Sequence, residues 1–240
     1  MTRSSVPLNN RIHRHLKVKK ATNFLHLAEE QLIPVVVHEF VQVASGFPIV
    51  FVKDTKTGQF IAVAMMGLEP KENLYCSDES WDGTFGPSVL HNHPLSLALI
   101  EGEDERPIIC INEASELVSA LDGESLFDEN GEQSEYLKDR AEVLILHVEK
   151  NAVTREFVGS LVKQNLLISQ DLTVRLDSGE KYEISGIYSV DDKKLSELDK
   201  DHFLTLRNAG FLPAIYAQIF SFQQFRRLAR RKMAKIGKAN

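Results

Sequence analysis

The amino-acid sequence predicts an α+β fold, a single domain in which helices pack on a mixed or mainly antiparallel sheet. The first half of the 240-residue chain is rich in apolar β-type runs, and the second half is rich in helical patterns. Strands and helices do not alternate with βαβ regularity. No internal repeat and no proline-rich or glycine–serine stretch interrupts the chain, so one domain is favoured over two.

The segment FPIVFVKDTKTGQFIAVAMMGL, residues 47–68, is the centre of this prediction. Two apolar runs flank a polar stretch in which Asp54 and Gly58 have turn chemistry. Runs that are apolar on both faces are typical of strands in the interior of a sheet. We therefore expect a β-hairpin with two central strands.

Local patterns also predict the elements around this hairpin. Residues 23–32 are expected to form a short helix, residues 35–37 a strand that leads into a helical turn, and residues 73–76 a short edge strand. Residues 77–88, rich in Asp, Gly and Ser, form a loop. The sequence PIICIN at 107–112 predicts a further buried strand.

A long helix is predicted after Ser134, which can cap it. Its apolar side chains recur three or four residues apart and form one face: Leu137, Ala141, Leu144, Ile145, Val148 and Ala152. We expect residues 151–154 to break or bend this helix, since about thirty residues is longer than most globular helices.

The last third of the chain predicts a second hairpin and two further helices. The hairpin covers 172–190 around the turn DSGEK. A helix over 201–208 ends at Gly210, and a final helix over 214–233 follows Pro213 and passes from apolar to basic.

Charge is segregated along the chain, whose formal net charge is −6. The first twenty and the last nineteen residues hold thirteen basic residues and no acid, which leaves 15 basic against 34 acidic residues, a net charge of −19, between them. The sequence thus divides into a basic arm at 1–22, the folded domain at 23–222 and a basic C-terminal helix at 223–240. The basic ends either dock on the acidic body or remain solvated, or they contact an acidic partner.

Several classes of protein are excluded or disfavoured. Cys76 and Cys110 lack CxxC spacing and are too few for a disulfide framework, which favours a reducing compartment. No secretory h-region and no run of 18 apolar residues occurs, so a cytoplasmic location is expected. GxGxxG, GxxxxGK[ST] and GxSxG motifs are absent, and no cofactor is predicted.

His91 and His93 form an HxH pair that could share a metal ion if it lay on a strand. Glu101, in a predicted turn, and the distant His147, in the middle of the predicted long helix, are the least unsuitable candidates for completing such a site. The alternative is two loop histidines, and no metal site is predicted.

The loop that carries the only tryptophan predicts a binding groove over the first hairpin. An aromatic pair and prolines in a Gly–Asp loop have little reason to be solvated, and loops that pack their own apolar groups are common places for binding. The groove is predicted to be lined by Trp81, Phe85, Pro87 and Pro94, with His91 and His93 near its rim.

The C-terminal helix predicts a basic contact surface made of Arg226, Arg227, Arg230, Arg231, Lys232 and Lys235. Its partner would be an acidic protein or the anionic inner face of a membrane, and the helix would be dispensable for folding. In the alternative interpretation, Phe220 and Phe222 belong to the core and the rest is a solvated helix end. Nucleic acid is not predicted as a partner, because no aromatic–basic interleave occurs.

The order and spacing of several segments resemble the SapC family over roughly residues 33–222. These segments are FPIVF, GLEPKENLYCSDESW, IICIN, LFDENGEQSEYL, FVGSLVKQNLL and ISGIYSVDDKKLSELDKDHFLTLRNAGFLPAIYAQIFS. Where that family has Arg-Arg-Tyr-Pro-Phe, this chain has HNHPL and keeps Pro94. A family role of those arginines is therefore lost here.

The resemblance implies a bacterial accessory protein associated with surface-layer protein export or surface-uptake systems, with no catalytic residue to carry over. We therefore predict a binding or assembly module with protein partners. The alternative is an enzyme of unrecognised type, possibly metal-dependent through His91 and His93.

Overall fold

Strands and helices are formed along most of the chain in the computed structural model, which describes residues 5–21, 24–76, 81, 83, 86–99 and 107–239. The strands are β1 Ser5–Pro7, β2 Lys17–Val18, β3 Leu32–Pro34, β4 Ile49–Lys53, β5 Phe60–Met65, β6 Leu95–Leu99, β7 Pro107–Asn112, β8 Val118–Ser119, β9 Glu124–Ser125, β10 Leu167–Arg175 and β11 Lys181–Val190.

The helices include one of 29 residues and several short ones. They are α1 Asn10–His13, α2 Phe40–Ala44, α3 Glu135–Lys163, α4 Asp192–Ser196, α5 Lys200–Asn208, α6 Leu212–Ser221 and α7 Phe225–Ala239, with 3₁₀ turns at Leu25–Leu27, Val37–Glu39, Ser88–His91 and Phe222–Gln224. The predicted α+β class is confirmed, and the strand pairs that link these elements are antiparallel.

The contacts of the chain divide it into two compact units, each made of two chain segments. The first unit comprises residues 1–22 and 88–149, and the second comprises residues 23–87 and 150–240. Helix α3 contributes to both, since its residues up to 149 belong to the first unit and its later residues to the second.

The first unit contains two small sheets, with strand orders β1-β7-β6 and β8-β2-β9. The N-terminal segment, predicted to be a basic arm, contributes one strand to each sheet: Val6 pairs with Ile111, and Lys17 pairs with both Ser119 and Ser125. The buried core beneath these strands is made of Val18, Leu95, Ile111, Leu126, Phe127, Leu137 and Leu144.

The second unit is built on a five-stranded sheet of order β10-β11-β4-β5-β3. The predicted hairpin is confirmed as β4 and β5, and each of these strands has a neighbour on both sides. Asp54 shapes the turn by accepting hydrogen bonds from the backbone N–H groups of Lys56 and Thr57, and Gly58 takes a positive φ of 70°. The second predicted hairpin is also confirmed, with β10 starting earlier, at Leu167.

Two side chains of α6 complete the hydrogen bonding at the start of β4. Gln218 accepts from Val190 N–H at 3.0 Å and donates to the Ile49 carbonyl at 2.9 Å, and Ser221 Oγ accepts from Ile49 N–H at 2.9 Å. Gln218 and Ser221 are fully buried. Their bonds therefore satisfy buried backbone groups of Ile49 and Val190 that have no water to bind. They fix α6 against the sheet.

The long helix is confirmed, and Ser134 Oγ accepts from Leu137 N–H as the predicted cap. The predicted break at 151–154 is wrong, because α3 continues through these residues. Thr154 Oγ1 donates to the Lys150 carbonyl within the helix and accepts from Val37 N–H. The predicted apolar face is correct for the buried Leu137 and wrong for Ile145, which is exposed.

Three short predictions differ from the structure. The short helix predicted over residues 23–32 is reduced to a 3₁₀ turn at Leu25–Leu27, and the strand predicted at 35–37 lies at β3. Glu39 starts the helical turn early by accepting from Val36 N–H. Instead of an edge strand at 73–76, Asn73 accepts from Tyr75 N–H in a local turn, and only Cys76 bridges to Trp81.

Candidate interaction surface on the C-terminal helices

One face of α7 is anchored to the second unit by a buried ion cluster. Lys232 is 7% exposed and its Nζ donates to Glu69 and, at 2.7 Å, to Glu72, which is 6% exposed. Lys235 Nζ lies 3.6 Å from the same Glu72 carboxylate. One turn before Lys232, Leu228 is fully buried. This part of the helix is therefore packed as core, which argues against the prediction that the helix is dispensable for folding.

The turn before Glu72 holds its carboxylate in place. Glu72 Oε2 accepts from Leu68 N–H at 3.2 Å, so one oxygen binds the turn while the other binds Lys232. The turn requires glycine at position 67, since a Cβ there would lie 2.2 Å from the Glu72 carbonyl oxygen. Desolvation lowers the pKa of Lys232, but the hydrogen bonds and charges of Glu69 and Glu72 outweigh it and raise that pKa above its ordinary value.

Arg231 and Arg227 make further contacts within the second unit. The Arg231 guanidinium lies 4.2 Å from the centre of the Tyr75 ring, a cation–π contact, and Arg227 Nη1 donates to the Ser45 carbonyl at 3.4 Å. Gln224 donates to the Ala44 carbonyl at 3.2 Å. The start of α7 thus satisfies carbonyl groups at the C-terminal end of α2.

The opposite side of α6 and α7 is exposed along one continuous stripe. The 3₁₀ turn at Phe222–Gln224 joins the two helices, so the final helix predicted over 214–233 is divided there. Exposed residues recur at intervals of three or four along both helices and the turn: Tyr216, Phe220, Gln223, Arg226, Arg230, Ala234 and Gly237. We call this set the exposed stripe.

The exposed stripe contains two aromatic residues that the sequence did not single out as exposed. Phe220 is 62% exposed and Tyr216 is 40% exposed, whereas Phe225 and Leu228 are buried. Phe220 was expected in the core under the alternative interpretation, and that expectation is wrong. Gln218 and Ser221 occupy the buried side of α6. Phe220 therefore lies on the exposed side of the same helix.

The six residues of the predicted basic contact surface are therefore divided among different environments. Arg226 and Arg230 lie on the exposed stripe, and Lys235 is exposed beside Glu72. Arg227 and Arg231 are half-buried in the contacts described above. Lys232 points inward and does not belong to an exposed surface.

Trp81, the first residue of the predicted groove, packs in an aromatic cluster of the second unit. Its ring centre lies 5.5 Å from that of Phe24, 6.0 Å from Phe47 and 5.9 Å from Tyr75. Phe47 begins the first hairpin segment, so Trp81 does pack beside that hairpin. Gly83 lies against the indole, where a Cβ would be 2.4 Å from Nε1.

The other groove residues are divided between the two units, and one lies outside the described residues. Phe85 is not among the described residues, and Pro87 is buried in the second unit. His91, His93 and the buried Pro94 belong to the first unit. The groove as a single site stays a prediction.

Helix α3 and a neighbouring loop hold the segment that contains the HxH pair. Arg140 Nη2 donates to the His91 carbonyl at 2.6 Å, and His93 Nε2 lies 2.7 Å from Ser115 Oγ. His147 Nδ1 lies 3.5 Å from Ser88 Oγ, and Glu101 is outside the described residues. Among the residues that the structure describes, no group of three or more His, Cys, Asp or Glu side chains could hold a metal ion.

Cys76 has the environment of a structural cysteine. It is half-buried, its Sγ donates to the Phe24 carbonyl at 3.3 Å, and desolvation raises its pKa to about 11. A thiol with a raised pKa carries little thiolate near neutral pH and is a poor nucleophile.

In the part of the chain that is described, no helix has the length and apolar character needed to cross a membrane.

A family model described as SapC matches residues 8–228 of the chain, from the residue after β1 to the first turn of α7. No curated protein and no solved structure matches the chain. The matched region includes Glu69 and Glu72, which lie in the segment GLEPKEN and which sequence reasoning did not select. Two acids three residues apart beside a glycine turn were the available signal, but their partner lies 160 residues away.

Proposed function

The chain belongs to the SapC family, and on that premise we propose that it is an accessory binding protein whose C-terminal helices contact an anionic partner. The resemblance supports a role in a surface-protein or surface-uptake system of a bacterium, with the protein on the cytoplasmic side. No bound cofactor is part of this proposal, and nucleic acid is not the expected partner.

The observation that carries this proposal is the separation of cations on α7. Lys232 is used inside the protein by Glu69 and Glu72, while Arg226 and Arg230 point outward from the same helix. No Asp or Glu follows Asp201 in the sequence, so α6 and α7 contain no acid to neutralise the outward cations. A cationic surface on a chain of net charge −6 favours an anionic partner.

The experiment compares two charge-neutralised variants of the tagged full-length protein. Arg226→Gln with Arg230→Gln removes the outward cations, and Lys193→Gln with Lys200→Gln removes two exposed lysines of α4 and α5 as a matched control. Extracts that contain both soluble proteins and membranes are passed over each variant at low and at moderate ionic strength.

We expect the original chain and the lysine control to retain the same partner, and the arginine variant to lose it. Retention should weaken as ionic strength rises, because salt screens contacts between exposed charges. Equal retention by the arginine variant, or no retained partner for the original chain, would contradict the proposed function.

The alternative function, a metal-dependent enzyme at His91 and His93, has weaker support. His93 Nε2 is engaged by Ser115 Oγ, and Arg140 holds the backbone of His91 from the side of α3. Elemental analysis of the purified protein separates the two functions. A stoichiometric transition metal that is lost in His91→Ala would favour the enzyme.

A further inference from the structure

We propose that the anionic partner is a lipid bilayer, and that the exposed stripe is the surface that lies on it. This inference rests on the proposed function and names its partner. It adds Tyr216 and Phe220 to the contact, as side chains that enter the apolar boundary of the bilayer while Arg226 and Arg230 bind anionic headgroups.

The geometry of the stripe supports a helix that lies in the plane of an interface. Its residues extend from Tyr216 in α6 through the 3₁₀ turn to Gly237 in α7. Buried residues follow the opposite side of the same helices with matching intervals: Ile215, Gln218, Ser221, Phe225, Leu228 and Lys232. One side of these helices is thus fixed to the protein, and the exposed stripe lies on the other side.

The residue types of the exposed stripe are those of helices that bind at a membrane interface. Such helices combine basic residues with exposed aromatic or aliphatic side chains, and their binding strength depends on apolar area and on attraction to anionic lipids together. Phe220 and Tyr216 supply the apolar area, and Arg226 and Arg230 supply the attraction. Ala234 and Gly237 are small and let the backbone approach a flat surface.

A bilayer fits the exposed stripe better than a folded protein does. Protein partners bind most tightly through central anchors that fill desolvated pockets, whereas the aromatic residues and the cations of the exposed stripe follow each other along the chain. A bilayer offers apolar and anionic groups at the same surface.

The test is flotation of the full chain with two kinds of vesicle. One kind contains phosphatidylglycerol in phosphatidylcholine, and the other contains phosphatidylcholine alone. We expect binding to the first kind at low ionic strength and little binding to the second. Arg226→Gln with Arg230→Gln should lower the partition constant about thirtyfold, roughly fivefold for each cation. Phe220→Ser should lower it about tenfold.

Two matched controls show whether position matters. Lys193→Gln with Lys200→Gln removes the same charge elsewhere, and Leu121→Ser removes an apolar side chain that is 88% exposed in the first unit. Both should float like the original chain. Circular dichroism of each variant confirms that it is folded.

The outcomes separate this inference from the proposed function. If the full chain does not bind anionic vesicles, or if Phe220→Ser binds them as well as the original chain does, the bilayer is not the partner. If in that case the extract partner is still lost in the arginine variant, the proposed function holds with a protein partner. If the arginine variant also retains the extract partner, the bilayer inference and the proposed function are both overturned.

Discussion

The two basic ends of the chain have similar composition and are attached to the protein in different ways. Residues 1–20 and 222–240 are both basic and free of acid. The N-terminal segment is held mainly by backbone pairing of β1 and β2, with the buried Val18 and the buried His13, whose Nε2 lies 3.0 Å from Glu113 Oε1. Arg11 and Arg14 point to solvent. The C-terminal segment is held by side chains, and one of its cations is buried.

The composition of a basic run therefore does not reveal which of its cations stabilise the fold. In a strand held by main-chain bonds, the cations need not hold the strand in place, and Lys17 Nζ makes only an exposed hydrogen bond of 3.4 Å to the Leu121 carbonyl. In a helix, the period of 3.6 residues turns some cations toward the protein and others away from it. Lys232 and Arg230, two residues apart, lie on opposite sides for this reason.

The largest expected effect comes from breaking the C-terminal anchor. Lys232→Ala leaves the buried Glu72 carboxylate without its cation, and we expect the free energy of unfolding to fall by about 3–5 kcal/mol. Urea denaturation measures the loss. Arg230→Ala is the matched control on the exposed side and should change stability by under about 0.5 kcal/mol.

A double variant sharpens this prediction. Lys232→Met combined with Glu72→Gln removes both charges and should recover much of the lost stability, since replacing a buried pair is far less costly than breaking it. A Lys232→Ala variant as stable as the original chain would show that the ion cluster does not hold the helix.

The N-terminal segment should respond to loss of an apolar side chain instead. Val18→Ala removes two methyl groups from the core of the first unit and should cost about 2 kcal/mol. Ile12→Ala, at an exposed position, is the control for apolar truncation. If Val18→Ala proves as harmless as its control, β2 is not anchored by this core.

Alkaline pH should weaken the C-terminal anchor. The pKa of Lys232 is raised in the folded protein, so its stabilising contribution is complete below the unfolded pKa of about 10.4 and is lost as pH rises toward the folded pKa. The difference in stability between the original chain and Lys232→Met should be constant from pH 7 to about 10. Above that pH it should shrink by at most about 1.4 kcal/mol per pH unit. A difference that already shrinks between pH 7 and 9 would contradict this assignment.

The smallest effect is expected for the N-terminal cations. Neutralising Lys17, Lys19 and Lys20 together to Gln should change the free energy of unfolding by under about 0.5 kcal/mol, because none of them is buried with a carboxylate. Thermal or urea unfolding checks this. A loss above about 1 kcal/mol would mean that the two ends are attached alike.

Elements governed by local rules could be predicted from the sequence. The turn at Asp54 and Gly58, the cap at Ser134 and the helix end at Gly210, where φ is 74°, depend on neighbours within a few residues. The hairpin strands were predictable because both are apolar on two faces and the turn between them is short.

Features that depend on distant partners could not be predicted. The strand at Ser5–Pro7 exists because it pairs with β7, more than a hundred residues later, and the sequence alone reads it only as part of a basic arm. Lys232 finds Glu69 and Glu72 across 160 residues or more. Phe220 is exposed because the hydrogen bonds of Gln218 and Ser221 turn their side of α6 toward the sheet. The apolar side chain of Phe220 alone would have predicted that it is buried.

Hydrogen exchange of the free protein tests most directly whether α7 belongs to the fold. The account predicts that backbone amides of residues 228–235 are protected to within about tenfold of those in β4, because the helix is docked through Leu228 and Lys232. Exchange of these amides at the rate of an unstructured peptide would contradict the account.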